Sequence, residues 1–428
     1  MDFITHLKNG LLSVLPGLIE AYAGQVDAES LSVMERQIKQ MTHELGNDLL
    51  QAWLTAQEPK YPADEQPCSC GETARYERRR EGVAITLQGR VRYRRAYYRC
   101  ACGRGQYPLD ERLGIEPGQM SAEVVKVAAL LGVQEAFGNS SATLAQTTLL
   151  ELSPNSIRQA CQQVGETVVA QEAALLERSQ KLSAQLEQRR REDKPRCLYG
   201  SLDGFQVLFD DGWHEMKAGV WWTVDEKGQG RDIRYYVDSA SAETFSSLVW
   251  AKGFEYGADQ ADQRVFIADG AHWIWRIVQQ HFPQAIQIVD GYHACAYLVK
   301  VAHAAFGEGT TAAQDWLTQQ RTNLWEGHLF SVVHACRLLV NKAPQAVAQA
   351  RSYFAHNRTR LRYPRFRALG LQIGSGTRES GCKQIGLGRL KLAGARWSQD
   401  GARKLAKARA AFLTDQVNLL SLWLPQVA

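Results

Sequence analysis

The 428-residue chain is 45% hydrophobic and 22% charged. That is ordinary globular composition, which excludes a largely disordered or collagen-like chain, and the length asks for more than one core. A formal charge of +5 is only mildly basic, so the distribution of cations matters more than their sum.

In chain order, residues 1–24 (MDFITHLKNGLLSVLPGLIEAYAG) have an apolar centre interrupted by Glu20 and no basic cluster. We expect an amphipathic helix rather than a signal peptide. No stretch approaches 18 uncharged apolar residues, so no membrane span is expected. Leu31, Met34, Ile38 and Met41 fall on one helical stripe, making residues 1–55 a helical region. The stretch 56–67 carries three prolines and reads as a linker. Residues 68–112 read as short strands with a glycine at the bend of VAITLQGRVRYRRAYYRC. Together, residues 56–115 form one small β module.

Nine cysteines are present. Cys161, Cys197, Cys295, Cys336 and Cys382 are scattered, which argues against a disulfide framework and for a reducing compartment, here the cytoplasm. The others form two Cys-x-Cys-Gly knuckles, Cys68/Cys70 and Cys100/Cys102, with 29 residues between them. Four thiolates at the ends of a short β segment can hold one tetrahedral zinc, giving a zinc-ribbon-like module. Redox cysteines are the alternative, and the one-residue spacing is less common than Cys-x-x-Cys. Between the knuckles, residues 75–104 hold ten arginines, two glutamates and no lysine. Arg92, Arg94, Arg95 and Arg99, with Tyr93, Tyr97 and Tyr98, are candidates to meet DNA phosphates and bases. The alternative is a solvated face.

Residues 116–180 read as helical. A break at Leu152–Pro154 separates two helices, with Ser153-Pro154 a helix-start signal. The pair resembles a helix-turn-helix whose base-reading group would be Asn155, Ser156, Arg158 and Gln159. Two helices of an ordinary bundle fit the same pattern. Residues 178–196 are charge-dense and read as a connecting helix and linker.

From residue 195 the texture changes. CLYGSLDGFQVLF, MKAGVWWTV and RDIRYYVDS read as three consecutive strands, with hairpin chemistry at Asp210–Gly212. A helix follows near 241–252, then strand RVFIAD, helix AHWIWRIVQQHF and strand AIQIVD. This predicts a mixed α/β sheet over 195–294. Residues 295–370 read as helical with no strand candidate, and 371–428 return to helices. Asp203, Asp269 and Asp290 each precede glycine in or at the end of an apolar strand. Asp-Gly turns are common, but ligands collect at strand carboxyl ends in open sheets. Asp203 sits inside its strand, where a carboxylate needs a partner charge such as a metal. Glu379 follows a glycine-rich turn at an expected helix start, with Lys383, Arg389, Lys391 and Arg396 after it. Helix start and cations would attract a phosphate backbone; a Glu complementing the helix dipole is the alternative. Trp397 is either a stacking residue for an unpaired base or a core residue.

The stretches LYGSLDG, FIADGAHWIWRIVQQHFPQAIQIVDGYH, YFAHNRTRLRYPRFRALGLQIGSGTRES and CKQIGLGRLKLAGARWSQDGA span Cys197–Arg403. Together they resemble DDE transposases of bacterial insertion sequences, in the broad group that includes Mutator-like elements. The resemblance implies an RNase H-like catalytic core with an all-helical insertion. It matches Asp203 and Asp269 to the two catalytic aspartates and Glu379 to the glutamate. Asp290-x-x-His293 resembles the Cys/Asp-x-x-His motif that precedes the insertion, and the knuckles look like the family's N-terminal zinc-binding part. Such a protein would bind two Mg²⁺ (or Mn²⁺) ions in addition to Zn²⁺. It would act on double-stranded DNA at element ends and target, as a homodimer or larger assembly at the nucleoid. A transposase-derived DNA-binding regulator without catalysis and an RNase H-like nuclease are the competing readings. Asp290 and His293 either orient substrate or serve as a helix-capping Asp with a packed His.

Overall fold

The computed structural model describes residues 28–57, 63–115, 120–182, 196–374 and 382–414, with isolated positions before residue 28. The expected helix over residues 1–24 and the residue Glu379 therefore lie outside the described residues, apart from those isolated positions. The described residues divide into two compact units that meet in sequence at Cys161/Gln162.

In the first unit, helix α1 (Ala28–Gln57) precedes a four-stranded antiparallel sheet of β1 (Glu65–Pro67), β2 (Thr73–Thr86), β3 (Gly89–Cys100) and β4 (Gly105–Gln106). The expected short strands are in fact one long hairpin of 14 and 12 residues. It turns at Gly89, whose φ of +91° suits glycine. Asn47 of α1 donates to the carbonyls of Gln88 and Arg90 at that turn, at 2.6 and 3.2 Å. The C-terminal end of α1 is anchored by Leu54, but Leu31 and Ile38 of the predicted stripe are exposed.

The hairpin carries two small cores. Leu54, Ala84, Val91, Tyr93 and Leu109 form one near the turn; Cys68, Ala74, Ala96, Tyr98 and Cys100 form the other at the cysteine end. Val91 and Tyr93 are odd-numbered on β3, while Ala96, Tyr98 and Cys100 are even. Strand side chains alternate faces, so the two cores lie on opposite faces of the same strand. Helices α2 (Pro108–Leu113), α3 (Ala122–Gly132) and α4 (Phe137–Thr148) follow. After α4, Leu149 takes a left-handed φ of 62°. Ser153 then accepts from the Ser156 amide at 3.1 Å and starts α5 (Pro154–Leu182).

The second unit is built on a five-stranded mixed sheet. Its strands are β5 (Cys197–Phe209), β6 (Gly212–Val224), β7 (Gly230–Asp238), β8 (Gln263–Ala268) and β9 (Ile286–Val289), in the order β7-β6-β5-β8-β9. β5, β6 and β7 form an antiparallel meander, whereas β8 runs parallel to β5 and β9 parallel to β8. Helices α6 (Ala242–Glu255) and α7 (His272–His281) make the crossovers. The core is aromatic: Trp221 meets Phe266 and Phe282 edge-on, with centroids 5.1 and 5.4 Å away. Beyond β9 come α8 (Gly291–Phe306), α9 (Thr311–Trp325), α10 (Leu329–Leu338), α11 (Pro344–His356) and α12 (Tyr363–Ala368). They form the helical block expected for 295–370. A π-helical segment (Cys382–Leu390) and α13 (Gln399–Thr414) complete the unit.

A buried charge network ties α13 to β7 and α5. Lys407, 1% exposed, pairs with Glu172 and lies 2.8 Å from the Asp238 carboxylate, which Arg403 also holds at 3.0 Å. The two helices approach so closely at Gly165 that a Cβ there would meet the Lys404 carbonyl oxygen at 2.2 Å. Burial alone would raise the Asp238 carboxyl, but the charge of Lys407 and the Arg403 and Lys407 hydrogen bonds outweigh it and hold it below the usual range. The stabilisation is therefore present above the unfolded carboxyl's value of about 3.9 and lost as pH falls through the lower folded value. Lys407→Met leaves Glu172 buried without its cation, and the expected cost is about 3–5 kcal/mol. Urea unfolding checks this, and Lys407→Met/Glu172→Gln is expected to recover part of the loss. A single variant as stable as the parent would mean that the network carries no stability.

Candidate functional site

Two clusters stand out, one in each unit. In the first unit the knuckles have the same construction. Cys68 N–H donates to Glu72 O and Gly71 N–H to Cys68 O, at 2.8 and 3.0 Å. Cys100 N–H donates to Arg104 O and Gly103 N–H to Cys100 O, both at 2.9 Å. Gly71 and Gly103 adopt φ of +90° and +87°. Each turn buries its first cysteine and exposes its second. The four Sγ atoms lie within 4.8 Å of one another, the only such group of three or more possible ligands among the described residues. The Cys68–Cys102 and Cys70–Cys100 sulfurs are 3.9 and 3.6 Å apart. Zinc–sulfur bonds near 2.3 Å in a tetrahedron require sulfurs about 3.8 Å apart. The cluster could thus hold a metal such as zinc.

The arginine strip differs from expectation. Arg92, Arg94 and Arg99 are exposed, but by the strand alternation Arg92 and Arg94 lie on one face and Arg99 on the other. Arg95, 3% exposed, points inward and pairs with Asp110 of α2, while its guanidinium stacks 3.9 Å over Tyr107. It is not available to phosphates. The tyrosines are core residues too. Tyr93 donates to Asp110 at 2.7 Å, Tyr98 donates to the Ala63 carbonyl at 2.7 Å, and Tyr97 lies under Arg80. At the start of α5, Asn155 and Gln159 are exposed, and Asn155 accepts from Arg158 at 2.6 Å.

In the second unit the parallel register sets the acidic residues. Gly200 of β5 lies opposite Phe266 of β8, and Ala268 opposite Val289 of β9. Continued three steps along β5 and one past the ends of β8 and β9, the register brings Asp203, Asp269 and Asp290 to one level at the carboxyl ends of the parallel strands. Asp203 lies within β5, opposite Ala218 of β6. Burial pushes its carboxyl above the usual range, and the nearby Asp269 charge adds to this. A hydrogen bond from the Cys382 thiol, the Gly204 amide and the charge of His293 act the other way. Cys382, whose thiol is itself pushed up by burial and by Asp203 and Asp269, opens the π-helical segment. No spacing signal in the sequence marked it.

Asp269 accepts from the Ala271 amide at 2.9 Å, and Tyr353 of α11 donates to its backbone carbonyl at 2.7 Å. Asp290 is 2% exposed and caps α8, accepting from the Tyr292 and His293 amides at 2.8 and 3.2 Å. The capping alternative therefore describes Asp290, whereas the His293 side chain is exposed rather than packed. Lys383 and Lys391 are exposed. Arg389 is not: it is 2% exposed, with its guanidinium 5.3 Å over Trp397. Trp397 is half-buried: its backbone pairs with Leu208 O and Asp210 N at the end of β5, and its indole N–H donates to the Leu390 carbonyl at 2.9 Å. Arg396 is exposed and donates to the Asp210 carbonyl at 2.7 Å.

The geometry defines a two-unit mixed α/β protein with a thiol cluster in one unit and a row of carboxylates across parallel strand ends in the other. By sequence the chain belongs to an uncharacterised protein family, UPF0236, whose model matches residues 26–308, more than half of its length. That span includes all four clustered cysteines, Asp203, Asp269, Asp290 and His293, while Glu379 and Cys382 lie beyond it. No curated protein matches the chain. Among solved structures, the strand transfer complex of the Drosophila P element transposase is similar, at 10% identity with a TM-score of 0.28, covering 71% of this chain and 81% of that one. Among the described residues no helix is long and apolar enough to cross a membrane.

If the four thiols hold zinc, elemental analysis of the purified protein finds about one zinc per chain, and Cys100→Ser loses it. Stripping the metal with a chelator is expected to lower the melting temperature of the first unit. Metal-free protein that melts unchanged would leave the cluster without a structural metal.

Proposed function

We propose that this protein is a DDE transposase that cuts and joins DNA in an RNase H-like core. The observation that carries the reading is the row of carboxylates on parallel strands, with Cys382 bonded to Asp203. The sheet order β7-β6-β5-β8-β9, with three antiparallel strands followed by two parallel ones, supports the RNase H-like assignment. The helical block after β9 is in the position of the insertion. Glu379 lies outside the described residues, and we assign it as the third carboxylate, with Asp203 and Asp269, on the sequence resemblance.

These three carboxylates supply only oxygen donors, which suits Mg²⁺ or Mn²⁺. Bound there, two such ions would activate the attacking oxygen and stabilise the leaving one. Asp203, raised by burial and by Asp269, is a ligand that gains from a cation. In the first step water attacks a phosphorus at the element's end; the phosphodiester bond to the 3′ oxygen breaks and leaves a 3′-hydroxyl. In the second, that hydroxyl attacks a target phosphodiester and displaces its 3′ oxygen, so one bond is exchanged for another. His293, exposed beside Asp203, is a candidate to orient substrate, while Asp290 positions the start of α8. The exposed Arg92, Arg94 and Arg99 and the start of α5, with Arg158, are the proposed DNA contacts of the first unit. Lys383, Lys391 and Arg396 are those of the second.

Asp203→Asn, Asp269→Asn and Glu379→Gln are nearly isosteric. Each is expected to lower cleavage and strand transfer by at least about a hundredfold while end-binding persists, and the losses should not add. Exposed Asp315 gives the control, Asp315→Asn. A triad variant that cuts and joins like the parent would remove that residue from the site. A parent that binds ends but never cuts would favour a DNA-binding regulator.

For the arginines, Arg94→Ala is expected to reduce the salt slope of DNA binding by about one phosphate's worth. Arg95→Ala, which strands buried Asp110, is expected instead to destabilise the hairpin. Equal salt slopes for Arg94→Ala and the parent would take the outer face of β3 out of the interface.

A further inference from the structure

A cleft of about 700 Å³ opens directly beside Asp269, between the β8–α7 turn, α8 and α11. Its wall is a fixed aromatic pair. Tyr297 and Tyr353 stack with centroids 3.9 Å apart, and Tyr353 is bonded to the Asp269 carbonyl. Gly270, at φ +104°, leaves the space that the Tyr353 ring occupies: a Cβ there would meet the ring at 2.8 Å. The turn that presents Asp269 and the wall of the cleft are therefore one rigid piece.

The mouth has the opposite character. Lys300, His272, Gln349, Ser352 and His356 are all exposed and all offer hydrogen-bond donors. Asp269 is the only carboxylate among the lining residues. A cavity of this size suits a nucleotide-sized ligand. A lysine, two imidazoles, an amide and a hydroxyl around one opening favour an anion with several acceptor oxygens. An acidic peptide would offer the same charge, but it would not need to end against a carboxylate row; a phosphodiester strand approaching a metal site would.

We infer that this cleft seats one nucleotide of a DNA single strand next to the scissile position, with its phosphate held by Lys300, His272 and His356. The inference rests on the DNA-processing reading of the carboxylate row but concerns binding, so the two can fail separately. The seat also explains why α11 is bonded to the backbone of Asp269: a strand held on the helical block is held in fixed register with the carboxylates. Lys300 already lies 5.1 Å from the centroid of Tyr297 and has a long stem, so it can swing to a phosphate without disturbing the wall.

The test uses the full chain without divalent metal and a short oligothymidylate carrying one photoreactive iodouracil. After irradiation, crosslinked peptides are mapped. Crosslinks are expected within residues 270–272, 297–300 or 348–357, and Lys300→Gln and His356→Ala should each weaken them about tenfold, as losing one charge-assisted contact does. Thermal melts confirm that both surface variants fold. Crosslinks confined to other segments, or undiminished in both variants, would overturn the proposal. So would competition by thymidine monophosphate as strong as by the oligonucleotide, which would make the cleft a site for free nucleotides. Failure of the parent to cut DNA in Mg²⁺ would leave these binding results standing and count only against the catalytic reading.

Discussion

The second unit depends on one constraint, the parallel register of β5, β8 and β9. Side chains in a strand alternate faces, so a slip of one residue would turn a carboxylate to the other face of the sheet. What holds the register is the packing beneath it. Phe266, opposite Gly200, presses on Trp221 and Phe282, and a Cβ at Gly200 would meet the Phe266 ring at 2.7 Å. The glycine admits the ring that locks the pairing, and the pairing brings Asp203 level with Asp269. A substitution in the aromatic layer would thus reach the carboxylates without touching them.

That placement has an electrostatic consequence. Two carboxylates brought together in a partly desolvated place disfavour each other's ionised form. The surrounding groups oppose this: the Cys382 thiol and the Gly204 amide donate to Asp203, and His293 lies close enough for its charge to count. None of these is a buried lysine or arginine, the usual answer to a buried carboxylate. The contrast is visible within the same unit, where Asp238 is answered by Lys407 and Arg403 and its carboxyl is lowered instead of raised. One acidic site is closed by protein cations and belongs to stability. Among the described residues the other is met by a thiol, an amide and the charge of His293, none of them a buried lysine or arginine, and under the proposed function it is the one suited to a cation.

Much of this was legible in the chain. The three strands from Cys197, both crossovers and the helical block were marked by apolar runs, turn residues and helical periods, all local signals. What escaped was long-range. In sequence Arg95 looks like Arg94; only the fold brings Asp110 under one and solvent over the other. Tyr93, Tyr97 and Tyr98 read as a DNA-facing aromatic set because alternation on one strand does not reveal that the hairpin buries one face near its turn and the opposite face near its cysteines. Arg389, expected to face phosphates, is buried for the same reason. Cys382, Tyr353 and Lys300 could not be found by spacing, since they come from segments 80 or more residues from Asp203 and meet its neighbourhood only through tertiary packing.

The cysteines show how a weak sequence signal becomes a strong geometric one. Cys-x-Cys is an awkward spacing for two ligands of one tetrahedron, since in an extended strand the two positions share a face but lie about 6.6 Å apart, beyond the roughly 3.8 Å between sulfurs on one zinc. Each knuckle avoids the problem by turning: the following glycine takes a left-handed φ, and the turn closes with an amide bonded back to the first cysteine's carbonyl. The first thiol then points into the core beside Ala74 and Tyr98 and the second lies at the surface, one pair from each end of the hairpin. The antiparallel pairing of Ala74 with Cys100 brings the two turns side by side. Glycine at the fourth position, rather than the number of residues between cysteines, is therefore what lets the one-residue spacing gather four sulfurs. The same pairing fixes where the exposed Arg99 sits, one residue from the cluster, so a metal that stiffened the knuckles would also stiffen the cationic end of β3.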